Sequence, residues 1–184
     1  MTPPPKMKFA HLGLFVTNVS KMIDFYTGEF GLVVTDRGIS TAGKEGAFLS
    51  GDPAEHHQLV FVEGREPGTK PTTNQISFRV DNLAALLRYA KHCQEADVTV
   101  SMTKNHGNAW SIYVTDPEDN TVEVYCTSPW YVSQPVGAPL DVNDSEDAIL
   151  EKTETLVRAN PTFLPREKWM TLLAAKINSR QAGA

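Results

Sequence analysis

The chain contains one sequence pattern twice, at a spacing of 64 residues. His11–Val19 aligns with Gln75–Leu83, and in both copies a short alternating run leads into an asparagine. Asparagine is a favoured residue at the start of a helix, so each copy predicts a strand followed at once by a helix. An internal repeat of this kind predicts two copies of one structural module, and it restricts the fold more than any other feature of the chain.

Each copy continues with the same order of elements. Apolar residues recur at spacings of three and four after Asn18 and again after Asn82, which predicts two amphipathic helices. These residues are Val19, Met22, Ile23, Tyr26 and Phe30 in the first copy, and Leu83, Leu86, Leu87 and Ala90 in the second. Three strand-like runs follow each helix, near 31–35, 46–49 and 57–62, and near 98–102, 110–115 and 121–126.

The predicted fold is α+β, with two βαβββ modules at residues 8–63 and 73–127 that form one half-open barrel. The segment Gly64–Thr73 is rich in proline and glycine and is interpreted as a linker. Two helical stretches follow Pro129, so residues 129–184 are predicted to form a C-terminal helical extension. Its aromatic residues are too many to lie in water without an interface, which favours a packing element or a homodimer contact.

Composition excludes several classes of protein. The 17 basic and 22 acidic residues give a net charge of -5, which argues against a nucleic-acid partner. Runs without polar residues span only a few positions, against about 20 for a membrane helix. The start, Met1–Pro5, lacks the apolar stretch of a secretory signal and predicts a loose tail. Two cysteines provide no disulfide framework, so we expect a cytoplasmic globular protein without a membrane partner.

Alternation along the strands predicts which polar side chains share a face. His11 and Gln75 hold equivalent positions in the two first strands, and Glu123 lies in a last strand, all turned away from the helices. The same spacing of 64 residues carries Leu59 onto Glu123. Imidazole, amide oxygen and carboxylate are competent ligands for a divalent first-row metal. The pattern alone leaves two interpretations open, a metal site or an ordinary polar face.

The paired modules resemble the vicinal oxygen chelate superfamily over about residues 8 to 128. The resemblance rests on His11 in Ala10–Leu14 and on the run Asp116–Glu123, which reads Asp-Pro-x-x-Asn-x-x-Glu. This superfamily includes glyoxalase I, bleomycin-resistance proteins, fosfomycin-resistance enzymes and type I extradiol ring-cleaving dioxygenases. The resemblance implies that His11, Gln75 and Glu123 together bind one metal ion.

Within the superfamily, the chain is most similar to the catalytic half of the extradiol dioxygenases. The similarity rests on the run His56–Leu59 and on His106-Gly107-Asn108 followed by Ser111-Ile112-Tyr113. It implies that His57 is an acid/base and that His106 and Tyr113 hydrogen-bond a catecholate-like oxygen. Fe(II) is the implied cofactor, with Mn(II) or Zn(II) as alternatives, and a small aromatic substrate and O2 are the implied partners. A histidine that titrates near neutral pH suits the proton transfers of such a reaction.

Two departures keep other functions open. Extradiol enzymes have a second histidine where this chain has Gln75, and an amide oxygen should hold iron less firmly. Glyoxalase I accepts glutamine there, but it has a carboxylate where the spacing places Leu59. We therefore predict a metal-dependent dioxygenase-like oxidoreductase acting on vicinal oxygens. The alternatives are a metal-free ligand-sequestering protein of the bleomycin-resistance type and a glyoxalase-type isomerase or lyase.

Overall fold

The computed structural model describes residue 5 and residues 7–182, which form two compact units. The N-terminal unit holds Met7–Asn74 together with Asp116–Asn120, and the C-terminal unit holds Gln75–Thr115 and the chain from Thr121 onward. The predicted α+β class, with two βαβββ modules and a C-terminal helical extension, is confirmed. The predicted tail at Met1–Pro5, apart from residue 5, and residues 183–184 lie outside the described residues.

The N-terminal unit contains β1 (Leu12–Val16), α1 (Val19–Phe30), β2 (Val33–Ile39), β3 (Glu45–Ser50) and β4 (Leu59–Glu63). Its sheet has the order β1-β4-β3-β2, with β1 and β4 parallel. Asn18 caps α1 as predicted, because its side chain accepts a hydrogen bond from the Lys21 amide at 2.9 Å. The core of this unit lies between helix and sheet, where Met22, Tyr26 and Phe61 are fully buried.

The C-terminal unit repeats this arrangement with β5 (Ile76–Arg79), α2 (Leu83–Glu95), β6 (Val100–Asn105), β7 (Ala109–Thr115) and β8 (Thr121–Thr127). Strands β5-β8-β7-β6 follow the same order as β1-β4-β3-β2, and β5 is again parallel to β8. Asn82 caps α2 through the Ala85 amide at 2.9 Å. Neither sheet closes on itself, as a half-open arrangement requires.

The extension belongs to the C-terminal unit. It contains β9 (Trp130–Tyr131), β10 (Ala138–Pro139), α3 (Glu146–Arg158), β11 (Leu164–Pro165) and α4 (Arg166–Ala182). Strand β10 pairs with the edge of β6, and β9 pairs with β11. Helix α3 buries Ile149, Thr153 and Val157. Two of the aromatic residues that predicted an interface cover each other, since the rings of Tyr131 and Trp169 stack with centroids 4.9 Å apart.

The strand register corrects one correspondence between the two copies. Glu123 lies opposite Ser77, whereas Gly13, the counterpart of Ser77, lies opposite Val60. The position equivalent to Glu123 is therefore Val60, and the expectation of Leu59 was wrong by one residue. The physical reason is the two-residue period of a strand, because Leu59 points into the helix-covered core while Glu123 points to the opposite face. Neither Leu59 nor Val60 supplies the carboxylate that glyoxalase I has at this place.

The predicted strand at 57–62 also begins later than expected. Strand β4 starts at Leu59, and His57 lies in the loop before it. Alternation through a strand at 57–62 would place His57 on the face of Leu59 and Phe61, and this is wrong because alternation holds only inside a strand. Leu59 and Phe61 are buried in the core, while His57 is half-buried outside it. Among the described residues, no helix combines the length and the apolar character needed to cross a bilayer.

Candidate active site

A buried carboxylate forms the centre of the candidate site in the C-terminal unit. Glu123 is 7% exposed and accepts three hydrogen bonds, from Tyr113 Oη at 2.8 Å, Gln75 Nε2 at 2.8 Å and Ser77 Oγ at 2.6 Å. All three donors are neutral. No cationic side chain among the described residues lies within ion-pair distance of Glu123. Burial of an unpaired charge is unfavourable, so this carboxylate is a favourable place for a cation.

The sheet itself assembles this group. Strand β8 lies between β5 and β7, with Ser77 on one side of Glu123 and Tyr113 on the other. Directly opposite residues on adjacent strands have Cβ atoms about 5 Å apart, which is the distance that a serine or tyrosine hydroxyl can bridge. Three of the predicted site residues, Gln75, Tyr113 and Glu123, therefore lie together within this unit.

Gln75 lies just before β5, with its amide nitrogen directed to two neighbours. Nε2 is 2.8 Å from Glu123 Oε2 and 3.1 Å from Ser77 Oγ. The amide oxygen accepts no hydrogen bond from the residues that the structure describes. A glutamine held by its nitrogen leaves its amide oxygen available as an acceptor.

His106 extends the group into a chain of hydrogen bonds. Its Nδ1 lies 2.5 Å from the Val136 carbonyl oxygen, and its Nε2 lies 3.0 Å from the Tyr113 hydroxyl. A carbonyl can only accept, so Nδ1 carries a proton. Tyr113 has one hydroxyl hydrogen for its contacts with His106 and Glu123. Two arrangements satisfy every contact, an imidazolium with ionised Glu123 or a neutral imidazole with protonated Glu123.

Tyr113 is held in its neutral form. Burial raises the pKa of Tyr113 to about 12, and the hydrogen bond to Glu123 and the charge of that carboxylate act in the same direction. The phenol is therefore a hydrogen-bond donor over the whole physiological range. This property fits the role implied by the resemblance, in which Tyr113 donates to a bound oxygen.

The N-terminal unit brings His11 and His57 together. His11 directly precedes β1 and is exposed, and His57 lies in the loop before β4. Because β1 and β4 are parallel neighbours, with Leu12 opposite Leu59, the segments that precede them run side by side. The two imidazole centroids are 4.2 Å apart, and the Phe48 ring packs 5.3 Å from that of His57.

Two residues behind His57 were not among the predicted site residues. His56 Nδ1 lies 2.9 Å from His57 Nδ1, and His56 Nε2 lies 2.7 Å from Asp36 Oδ2. Since a carboxylate accepts, His56 Nε2 carries a proton, and a neutral His56 then accepts from His57 Nδ1. This arrangement leaves a lone pair on His57 Nε2. The pKa of His57 is lowered by burial first and then by the charges of His11 and His56, which favours the neutral imidazole.

Some residues that contact the candidate site were not predicted from the sequence, and only one of them carried a usable sequence signal. Ser77 could have been found, because alternation already placed it on the face of Gln75. Asp36 could not, because a bulge at Thr35 shifts the pairing between β2 and β3 from Val34 opposite Leu49 to Asp36 opposite Phe48. Val136 contacts His106 across 30 residues of sequence and through its backbone, which leaves no side-chain signal.

Two of the predicted metal ligands lie together in the C-terminal unit. There Gln75 and Glu123 supply an amide oxygen and a carboxylate, ligand types that first-row divalent ions accept, whereas His11 belongs to the N-terminal unit. The uncompensated charge of Glu123 and the free amide oxygen of Gln75 are the structural observations that support the fit. Among the described residues, no group of three or more histidine, cysteine, aspartate or glutamate side chains could hold a metal ion.

Comparison with known proteins identifies the family. The model of the Glyoxalase/Bleomycin resistance protein/Dioxygenase superfamily matches residues 8–124. The chain belongs to this superfamily. The match confirms the resemblance drawn from the repeat and from the Asp116–Glu123 run, and it covers both βαβββ modules up to Glu123 and one residue beyond.

Relatives within the superfamily have different activities. Biphenyl-2,3-diol 1,2-dioxygenase 2 of Rhodococcus globerulus is 27% identical over 160 residues, which cover 77% of this chain and 80% of that protein. A glyoxylase/bleomycin resistance protein/dioxygenase domain from Frankia sp. has a TM-score of 0.57 at 18% identity, covering 67% of this chain and all of the other. Fosfomycin resistance protein FosX of Listeria monocytogenes, solved with Mn(II) and 1S,2S-dihydroxypropylphosphonic acid, has a TM-score of 0.53 at 16% identity, covering 65% and 92%. The likeness to these two solved structures shows the fold of the chain.

Proposed function

We propose that this protein is a metal-dependent dioxygenase that acts on a catechol or a related aromatic with vicinal oxygens. The observation that carries the proposal is the buried Glu123 carboxylate, which lies at the end of a hydrogen-bonded chain through Tyr113 and His106. A protein that only sequesters a ligand has no need of such a chain. The similarity to a biphenyl-2,3-diol dioxygenase supports an aromatic diol as the substrate class.

In this proposal His11, Gln75 and Glu123 are the metal ligands. Fe(II) is the first choice, and Mn(II) or Zn(II) are alternatives. The bound ion would supply a Lewis acid for chelation of two vicinal oxygens and, as iron, a partner for O2. Glu123 contributes the negative charge of the set, and Tyr113 fixes one of its oxygens while it remains a neutral donor.

His57 is the proposed acid/base. A catechol must lose protons before both of its oxygens can chelate, and a neutral imidazole with a free Nε2 lone pair can accept one of them. His56 and Asp36 stand behind it in a row of hydrogen bonds. When His57 is protonated at Nε2, this row keeps its Nδ1 proton directed to His56. His57 can then return the proton later in the reaction.

One observation supports a second candidate. Gln75 replaces the imidazole expected of an extradiol enzyme, and a weaker metal site is compatible with a protein that binds a ligand without metal, as in the bleomycin-resistance type. A glyoxalase-type isomerase or lyase gains less support, because Val60 and Leu59 both lack the carboxylate of that enzyme.

Oxygen uptake after metal loading tests the proposal. The metal-free protein would be loaded with Fe(II) under argon, its metal content measured, and O2 consumption followed with catechol and with 2,3-dihydroxybiphenyl. We expect one metal ion per chain and substrate-dependent uptake. Glu123→Gln should lose most of the metal, because it removes the charge of the set, whereas Glu151→Gln on the exposed face of α3 should keep it.

The same assay separates the enzyme from the binding protein. His57→Phe should lower turnover by about 10²–10⁴ while metal content and substrate affinity stay nearly unchanged, which is the usual effect of removing a positioned acid/base. Substrate binding without oxygen consumption in the wild-type protein would instead favour sequestration. Unchanged metal content in Glu123→Gln would show that the ligand set is wrong.

A further inference from the structure

A short segment of the extension contacts His106 from two sides. Residues Ser133–Gly137, here called the strap, connect β9 to β10. Gln134 Nε2 donates to the His106 carbonyl at 2.9 Å, and Gln134 Oε1 accepts from the Val136 amide at 2.9 Å. The Val136 carbonyl in turn accepts from His106 Nδ1 at 2.5 Å. The Gln134 side chain therefore connects the His106 backbone to Val136, whose carbonyl the His106 ring contacts.

This link determines where the His106 proton lies. A neutral imidazole exchanges its proton between Nδ1 and Nε2, and a neighbouring acceptor selects one form. The Val136 carbonyl keeps a proton on Nδ1, and Nε2 lies 3.0 Å from the Tyr113 hydroxyl oxygen. Without the Val136 carbonyl, a neutral imidazole could carry its single proton on Nε2 and leave Nδ1 unprotonated.

The turn that carries His106 does not depend on the strap for its shape. The His106 amide donates to the Ala109 carbonyl at 2.8 Å, the Gly107 amide donates to Asn105 Oδ1 at 2.9 Å, and Ser128 Oγ donates to the Gly107 carbonyl at 2.5 Å. Removal of the Gln134 side chain should therefore leave the turn folded. The effect should fall on the position of Val136 and on the proton of the imidazole.

The geometry points to Gln134 as a positioning residue that acts through the Val136 carbonyl to keep a proton on His106 Nδ1, with Nε2 directed to Tyr113. The consequence for turnover rests on the proposed function, whereas the tautomer of His106 does not. This inference assigns the extension a direct part in arranging the site, in addition to the packing role that its sequence predicted.

Nitrogen NMR of the metal-free full chain tests the tautomer directly. With ¹⁵N-labelled histidine, couplings between the ring nitrogens and the protons on the ring carbons show which nitrogen carries a proton. A His106→Gln variant identifies the signals of His106. We expect a proton on Nδ1 in the wild-type protein, and Gln134→Ala should lower the fraction of His106 that carries it. Gln94→Ala, which removes an exposed glutamine of α2, is the matched control and should leave the signals unchanged.

A second variant tests the route through Val136. Gln134→Glu keeps an acceptor for the Val136 amide and loses the donor to the His106 carbonyl, so it should retain most of the Nδ1–H form. A loss as large as in Gln134→Ala would show that the effect does not run through Val136. Wild-type His106 in the Nε2–H form, or unchanged signals in Gln134→Ala, would each overturn the inference.

Turnover provides the link to the reaction. If His106 directs Tyr113 as inferred, Gln134→Ala should lower kcat about tenfold with little change in KM, in line with the loss of one ordering hydrogen bond. Restoration of kcat in Gln134→Glu, together with the Nδ1–H form, would support a positioning role, and an unchanged kcat would contradict it. An inactive wild-type protein would overturn the proposed function and leave the NMR result as it is.

Discussion

At the scale of single residues, Tyr113 makes stability depend on alkaline pH. Its pKa is about 12 in the folded protein, against about 10 for an unperturbed tyrosine. Between these values the unfolded chain releases the Tyr113 proton and the folded chain keeps it. The free energy of unfolding should therefore fall as pH rises from 10 to 12, by up to about 1.4 kcal/mol per pH unit from this group.

Tyr113→Phe tests this prediction. The variant keeps the ring and has no proton to lose, so its free energy of unfolding should fall less steeply across the same range. Denaturant unfolding at several pH values from 9 to 12 measures both slopes. Tyr26 should contribute with the same sign, because burial first and then the charge of Asp116 raise its pKa. Equal slopes for the wild-type protein and Tyr113→Phe would contradict the assignment.

The candidate site was predictable where a residue type and its strand position carried the information. Glu123, Gln75 and Tyr113 followed from alternation and from the family resemblance, and the structure joins them through hydrogen bonds. Asp36 and Gln134 were not predictable. The first depends on a bulge, and the second contacts His106 across 28 residues of sequence.

At the scale of elements, local signals predicted the helices better than the strand ends. Asn18 and Asn82 each cap the helix that the sequence assigned to them. Strand β2 was predicted to end near Thr35, but it continues to Ile39 because pairing with β3 determines its length. Every residue of β2 is exposed, so its sequence carries no pattern of buried positions. Hydrogen bonds to a neighbouring strand fix a strand's ends, and the local sequence records them weakly.

The homodimer stays a prediction, and helix α4 provides a surface on which it could form. Met170, Leu172, Leu173 and Ile177 are all more than a third exposed on this helix. The helix therefore presents apolar side chains that a second copy of the chain could cover. Sedimentation of the wild-type protein would measure the oligomeric state.

The turn after His106 requires glycine, which gives a prediction for this element. Gly107 has φ of 75°, and a Cβ there would lie 2.7 Å from Val132 Cγ2 and 3.0 Å from Val157 Cγ1. Both valines are buried and have little room to move. Gly107→Ala should therefore lower the free energy of unfolding by about 2–4 kcal/mol, from backbone strain and overpacking together.

A second glycine provides the matched control for this substitution. Gly28 lies inside α1, and a Cβ there would meet no atom within 4 Å. Gly28→Ala should raise the free energy of unfolding by about 0.5–1 kcal/mol, because alanine loses less backbone freedom in a helix. Chemical unfolding of both variants measures the difference, and equal effects at the two positions would show that the turn tolerates a side chain.

At the scale of the whole molecule, the repeat predicted two modules but not the place of the loop between β7 and β8. Residues Asp116–Asn120 belong to the N-terminal unit. Tyr26 Oη donates to Asp116 Oδ2 at 3.0 Å, across 90 residues of sequence. Such contacts depend on the assembled fold, so the boundaries 8–63, 73–127 and 129–184 remain predictions from the linear sequence. The loop that carries the family's sequence mark thus has a structural role in the unit that holds the first module.

Glu118 connects this loop to the start of α1 within the N-terminal unit. Its buried Oε1 accepts from the Thr17 amide at 2.6 Å, the Thr17 hydroxyl at 2.7 Å and the Asn18 amide at 2.8 Å, at the start of α1. Arg65 Nη1 donates to the Glu118 carbonyl at 2.8 Å and lies 3.5 Å from Oε2. Glu118→Ala leaves these donors unpaired and should lower the free energy of unfolding by about 3–5 kcal/mol.

Two probes of unfolding show whether this loss reaches the whole chain. All three tryptophans, Trp110, Trp130 and Trp169, belong to the C-terminal unit, so their fluorescence reports on that unit, while far-ultraviolet circular dichroism reports on both. Because the loop is continuous with β7 and β8 at its two ends, its release should destabilise both strands, and the two transitions of Glu118→Ala should shift together. Glu118→Gln keeps an acceptor for the helix start and should lose less stability. A fluorescence transition that stays at the wild-type position while the dichroism shifts would show that the loop stabilises the N-terminal unit alone.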